Sequence, residues 1–183
     1  MDFIFVIVFG GLWGSFANVC IYRFPNNEGI VSGRSFCPNC KTKINWYDNI
    51  PLISYLTLGG KCRNCKKKIS IQYFIVETLS IILFTSIYYK FGVTLTTLYL
   101  IILSLSFLII FFIDLKHFII PNILTFSLMI IGFIKSFDPN LDSMFPNYLN
   151  SLIGGILGYG IIWLIIFIYK AIRKKEGMGL GDA

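Results

Sequence analysis

Four of the five cysteines fall into two matching spacings, Cys37-Pro38-Asn39-Cys40 and Cys62-Arg63-Asn64-Cys65, with 21 residues between them. Each CxxC turn can present two thiolates to one tetrahedral ion at about 2.3 Å, so the pair closes a four-cysteine Zn²⁺ site. Four protein ligands leave no open coordination position, which makes the expected role structural. Two carboxylates carry a different chemistry. Asp114 ends an uninterrupted apolar run, and Asp182 lies in Gly177-Met178-Gly179-Leu180-Gly181-Asp182, which contains a GxGD tetrapeptide. Two carboxyls at one depth on separate helices are the components of an aspartic-protease dyad, because at hydrogen-bonding distance they cannot both ionise and so share a proton. The charged member can deprotonate a water while the protonated member polarises the scissile carbonyl. Glycines beside the second aspartate let an extended substrate backbone come close.

The elements that must position these groups are set by composition. Of 183 residues, 56% are hydrophobic and 14% charged, and mean hydropathy is +0.74; an ordinary globular protein carries about 25% charged residues. This excludes intrinsic disorder and a simple soluble enzyme. Five apolar stretches are long enough to cross a hydrocarbon core of about 30 Å: Phe3 to Tyr22, Ile71 to Tyr89, Val93 to Ile113, Ile119 to Phe137 and Leu149 to Tyr169. Backbone polar groups in lipid must be satisfied internally, so these are expected to be helices. The first lacks the basic leading region and small-residue cleavage site of a signal peptide and is kept as a membrane helix. The fold class is therefore an all-α polytopic membrane protein of about five transmembrane helices with a zinc-binding loop. Its parts are a first helix (1–24), a four-cysteine loop (25–70) and a transmembrane bundle with the two aspartates (71–183).

Charge sets the expected orientation. The loop from Arg23 to Ser70 carries Arg23, Arg34, Lys41, Lys43, Lys61, Arg63, Lys66, Lys67 and Lys68 against Glu28 and Asp48. Alternate loops put 14 of the 16 Lys and Arg on one side, leaving Lys90 and Lys135 on the other. By the positive-inside rule the heavy side is the cytoplasm, with the N-terminus outside and the zinc loop and both aspartates at the cytoplasmic face. Topology thus accounts for the net charge of +7 without a nucleic-acid partner. In the reducing cytoplasm disulfides do not persist, which favours zinc for the CxxC pair.

Other polar or small residues have blander readings. Glu77, inside the second span, is costly there and rarely accidental, but no role is assigned to it. His117 reads as an interfacial side chain and Cys20 as a small buried hydrophobe. Gly154, Gly155, Gly158 and Gly160 in the last span offer a face for close helix packing.

In order along the chain, these features resemble the prepilin leader peptidases, polytopic aspartic proteases of type IV pilus, type II secretion and competence systems. Gly14 to Pro25 (GSFANVCIYRFP) is similar to the family's N-terminal signature, Asn49-Ile50-Pro51-Leu52-Ile53-Ser54-Tyr55 to the segment before its second CxxC, Asp114 to Asn122 to its first-aspartate motif, and Gly179 to Asp182 to its second. Glu77 falls where the family has a glutamate in its second helix. The resemblance implies removal of a short basic leader from prepilins and pseudopilins at the cytoplasmic face of the bacterial inner membrane, with Asp114 and Asp182 catalytic. For members with the four-cysteine loop it also implies N-methylation of the new terminus with S-adenosylmethionine, though no residue of the chain marks a donor site. The family continues beyond GxGD into further helices while this chain stops at Ala183, so a fragment with little activity by itself is expected.

Two rival readings differ in class. A non-enzymatic membrane scaffold would use the zinc loop to dock a cytoplasmic partner and would tolerate loss of Asp114. A presenilin-like or signal-peptide-peptidase-like GxGD protease would share the aspartates, but it gives no reason for the four cysteines, and its usual Tyr-Asp is replaced by Ile113-Asp114.

Overall fold

The computed structural model describes residues 2–26, 28–30, 34–137 and 146–173. Its elements are α1 (Asp2–Arg23), a 3-10 turn (Trp46–Asn49), the short α2 (Ile53–Thr57), α3 (Ile71–Phe91), α4 (Leu95–His117), α5 (Asn122–Lys135) and α6 (Tyr148–Arg173). No strand occurs among the described residues; two isolated antiparallel bridges, Phe36 with Lys43 and Lys61 with Lys68, lie in the loop between α1 and α3.

Four of the helices, α1, α3, α4 and α6, are long and apolar enough to cross a membrane. The 22 residues of α1 span about 33 Å at 1.5 Å per residue, slightly more than a hydrocarbon core. Many of their large apolar side chains, including Ile4, Phe5, Leu98, Phe111, Ile156 and Ile165, point outward, as a lipid-solvated surface requires. The chain is a multi-pass membrane protein. The stretch expected as a span over residues 119–137 forms α5, a helix of 14 residues, or about 21 Å. Pro121 sets its start, since proline and its predecessor resist helical continuation, and Ser136 caps its end.

The chain divides into two compact units, residues 1–117 and 118–183. In the first, α1 runs along α3 and α4 packs on both. Its core includes Ala17, Cys20, Ile21, Val76, Phe84, Leu105, Leu108, Ile109 and Ile113. The close approach of α1 to α3 depends on Gly10 and Gly14: a Cβ at Gly14 would lie 2.8 Å from Glu77 Cα and 2.9 Å from Ser80 Cβ. Ser70 opens α3 by accepting the Gln72 N–H, and Gly92 closes it at φ 62°, donating its N–H to Tyr88 O at 2.8 Å. Thr94 Oγ1 accepts the Thr97 N–H at 3.1 Å at the start of α4, satisfying one of the donors a helix N-terminus leaves over. In the second unit α5 and α6 make a small contact, and the Phe137 and Tyr148 rings stack at 5.6 Å. A Cβ at Gly154, Gly155, Gly158 or Gly160 would meet nothing within 4 Å. Within the first unit, the small residues that bring helices together are those of α1.

Candidate functional site

The loop between α1 and α3 folds into two matching turns. In the first, Lys41 N–H reaches back to Cys37 O (2.8 Å) and Cys37 N–H to Thr42 O (3.0 Å); in the second, Lys66 N–H reaches Cys62 O (3.0 Å) and Cys62 N–H reaches Lys67 O (2.9 Å). Both turns close through a lysine at φ 58°, Lys41 and Lys66. This left-handed conformation costs a non-glycine residue about 1–2 kcal/mol, so each turn needs something beyond its own backbone to hold it. Thr42 and Asn64 join the two turns with a 2.8 Å hydrogen bond. Beside them, Arg63 donates to both carboxylate oxygens of Asp48 at 2.7–3.1 Å, and this holds the Asp48 carboxyl below its ordinary range.

The turns bring Cys37, Cys40, Cys62 and Cys65 together, with all four Sγ atoms within 4.8 Å of one another. Cys37 Sγ lies 3.9 Å from Cys65 Sγ, and Cys40 Sγ lies 4.0 Å from Cys62 Sγ. Four sulfurs at the corners of a tetrahedron about a zinc ion stand about 3.8 Å apart, so the cluster is already near the spacing the ion requires. Donors are arranged for thiolates: Thr42 hydrogen bonds draw the Cys40 thiol down to about 6, and the Cys65 and Asn64 N–H groups lower Cys62. For Cys65 the Lys67 N–H pulls down, but desolvation and the neighbouring sulfurs outweigh it and push the thiol up to about 11. Four sulfurs this close ionise fully only around a cation. Cys20 stands apart from them, buried in α1.

Glu77 ties this loop to the membrane helices. Its carboxyl is buried in α3, and Oε2 accepts the Leu52 N–H at 2.7 Å. Leu52 is itself at φ 60°, immediately before α2, so the bond pins a strained turn of the loop. On the facing side Asn18 of α1 donates to Tyr73 O of α3 at 3.1 Å. Sequence reasoning did not find Leu52, Asn18, Thr42 or the Asp48–Arg63 pair. Leu52 acts through its backbone and leaves no side-chain signal, whereas Asn18 could have been suspected as an amide inside an apolar span.

Asp114 lies on α4, three residues before its end, with its side chain exposed; His117 is the last residue of that helix and is also exposed. Phe118 follows at φ 53°, ending the helix before Pro121. Asp182 lies outside the described residues, so of the two aspartates the structure places Asp114.

Comparisons with known proteins cover both parts of this layout. Residues 8–91, which hold the cysteine cluster and Glu77, match the bacterial peptidase A24 N-terminal domain, and residues 101–183 match the type IV leader peptidase family. A prepilin leader peptidase/N-methyltransferase of Vibrio cholerae is 38% identical over 100% of this chain and 75% of its own length. Those of Neisseria gonorrhoeae and Pseudomonas aeruginosa are 34% and 32% identical, over 96% of this chain in each case and 68% and 67% of their own lengths. No solved structure matches significantly. With a cysteine cluster of metal-binding spacing, membrane-length apolar helices and these relatives, the chain belongs to the type IV leader peptidase family, a family of proteases.

Proposed function

We propose that this enzyme removes the short basic leader of type IV prepilins and pseudopilins at the cytoplasmic face of the bacterial inner membrane, and methylates the amino terminus it exposes. The observation that carries the reading is the match of both halves of the chain to peptidase families together with relatives named for these two activities. In this reading residues 1–24 are the first transmembrane helix, 25–70 the zinc loop and 71–183 the peptidase bundle.

Asp114 and Asp182 form the catalytic pair. One carboxylate takes a proton from a water, whose oxygen attacks the scissile carbonyl; the other, protonated, hydrogen-bonds the carbonyl oxygen as negative charge develops there. The exposed position of Asp114 close to the end of α4 suits a reaction at the membrane surface, where a soluble leader meets a hydrophobic stem. The 14 basic residues assigned to that side support the orientation, with the N-terminus outside.

Zn²⁺ held by Cys37, Cys40, Cys62 and Cys65 is structural in this reading. It supplies a fourfold cross-link to a loop with little apolar core of its own, and so contributes to folding rather than to bond cleavage. Methyl transfer requires a donor, assigned as S-adenosylmethionine; no described residue is assigned to hold it.

The test is a cleavage assay in membranes of cells expressing the gene, with a prepilin substrate and intact-mass readout. A product lighter by the leader supports the peptidase, and an added methyl group on that product supports the transferase. A prepilin left intact across several substrates would overturn the assignment.

A further inference from the structure

A cavity of about 520 Å³ opens where α1 ends, and its wall carries Arg23, Arg34, Lys41 and Lys43 against the single acid Glu28. These cations come from separate stretches of chain, and the fold brings them together. Arg23, in the last turn of α1 and 5% exposed, donates from one nitrogen to Gly29 O and Ile30 O, both at 2.9 Å, and so folds the start of the loop back onto the helix. Lys41 and Lys43 are delivered by the first cysteine turn, which the Phe36–Lys43 bridge closes. Lys41 Nζ stands 5.0 Å above the Phe36 ring, and Phe36 in turn meets Tyr22 edge to face at 6.0 Å. Among the described residues, no carboxylate stands at ion-pair distance from Arg34, Lys41 or Lys43. A concave surface lined by like charges focuses its potential and draws in a counter-charge.

Position narrows the choice of ligand. The cavity adjoins the end of a helix long enough to span the bilayer, which is the depth at which lipid headgroups lie. There, anionic phospholipids are attracted by roughly 1 kcal/mol for each nearby Lys or Arg. The wall pairs this charge with the Phe36 ring and the alkyl stems of its long cations, a match for an amphipathic ligand with a phosphate at one end and apolar carbon at the other. We propose that this cavity is a binding site for the phosphate-bearing headgroup of an anionic phospholipid, with Arg34, Lys41 and Lys43 as the groups that hold it. The cysteine turn thereby places two of the three cations, so a loop built around sulfur also presents a lipid-reading surface. The site goes beyond proteolysis and methyl transfer.

The test uses the full-length protein in neutral detergent micelles, with phosphatidylglycerol or phosphatidylcholine added and the retained lipid counted by native mass spectrometry. The wild type should retain phosphatidylglycerol in preference. The Arg34→Gln/Lys41→Gln/Lys43→Gln variant should lose on the order of a hundredfold in apparent affinity for it, at roughly 1 kcal/mol for each cation removed. A Lys66→Gln/Lys67→Gln/Lys68→Gln variant, which removes the same charge from the same loop away from the cavity, should keep it. Equal losses in the two variants would reduce the effect to general charge and overturn the proposal, as would absence of a preference between the lipids. Displacement of the lipid by millimolar inorganic phosphate would reassign the site to free phosphate and overturn the headgroup assignment. Should the triple variant fail to fold, Lys43→Gln alone carries the same comparison, with Lys68→Gln as its control.

Discussion

Glu77 Oε2 and the Leu52 N–H meet at 2.7 Å, joining a carboxyl inside a membrane helix to a backbone turn of the cysteine loop. The bond joins two strained situations: a buried carboxyl on α3 and a leucine at φ 60°. Each partly resolves the other, since the N–H gains an acceptor and the carboxyl gains a backbone donor.

Loss of that acceptor should loosen the loop without unfolding the helices. Glu77→Ala is expected to destabilise the first unit by about 1–3 kcal/mol, the usual cost of orphaning a buried donor. Glu77→Gln keeps an acceptor oxygen and should recover most of the loss. Hydrogen exchange at Leu52 and its neighbours is the direct readout: faster exchange in the alanine variant, near wild-type exchange in the glutamine one. Equal protection in all three would mean that the contact contributes nothing to the loop.

The α1–α3 crossing depends on a missing side chain. Gly14→Ala puts a Cβ 2.8 Å from the Glu77 backbone, so the helices must part, at a cost of about 1–3 kcal/mol by analogy with overpacked cores. Gly158→Ala meets open space and should be neutral or slightly stabilising, because alanine is the better helix former. Unfolding in mixed detergent distinguishes the two; equal midpoints would contradict the packing described.

The cysteine cluster should bind one zinc ion per chain, measured by elemental analysis of the purified protein. Replacing any one of Cys37, Cys40, Cys62 or Cys65 with serine should abolish stoichiometric zinc and speed tryptic cutting at Lys66, Lys67 and Lys68, while Cys20→Ser should change neither. Full zinc retention in the Cys65→Ser variant would rule out the four-sulfur site.

How much of the fold and the site was legible in the sequence depends on the range of the interaction that fixes each part. The cluster could be read because CxxC spacing is local and the intervening 21 residues need only fold back once. The long helices could be read because a bilayer leaves the backbone no alternative. The limits of α5 were harder, since the apolar run begins before Pro121 while the helix begins only after it. Small residues mark a close helix crossing only where another helix reaches them, as at Gly14 of α1, which faces Glu77. Leu52 left no trace because its function belongs to an N–H group that every non-proline residue has. Of the proposed catalytic pair, Asp114 is placed near the end of α4, and the pairing with Asp182 rests on the sequence motifs.

That pairing is the central claim, and one measurement tests it most directly: prepilin cleavage in membranes at matched expression, comparing Asp114→Asn, Asp182→Asn and an Asp142→Asn control. Removing either partner of a shared-proton pair eliminates the water-activating step, so both catalytic variants should lose at least about 10³-fold in rate, while the control cleaves normally. Cleavage by Asp114→Asn or Asp182→Asn within a few-fold of wild type would contradict the assignment.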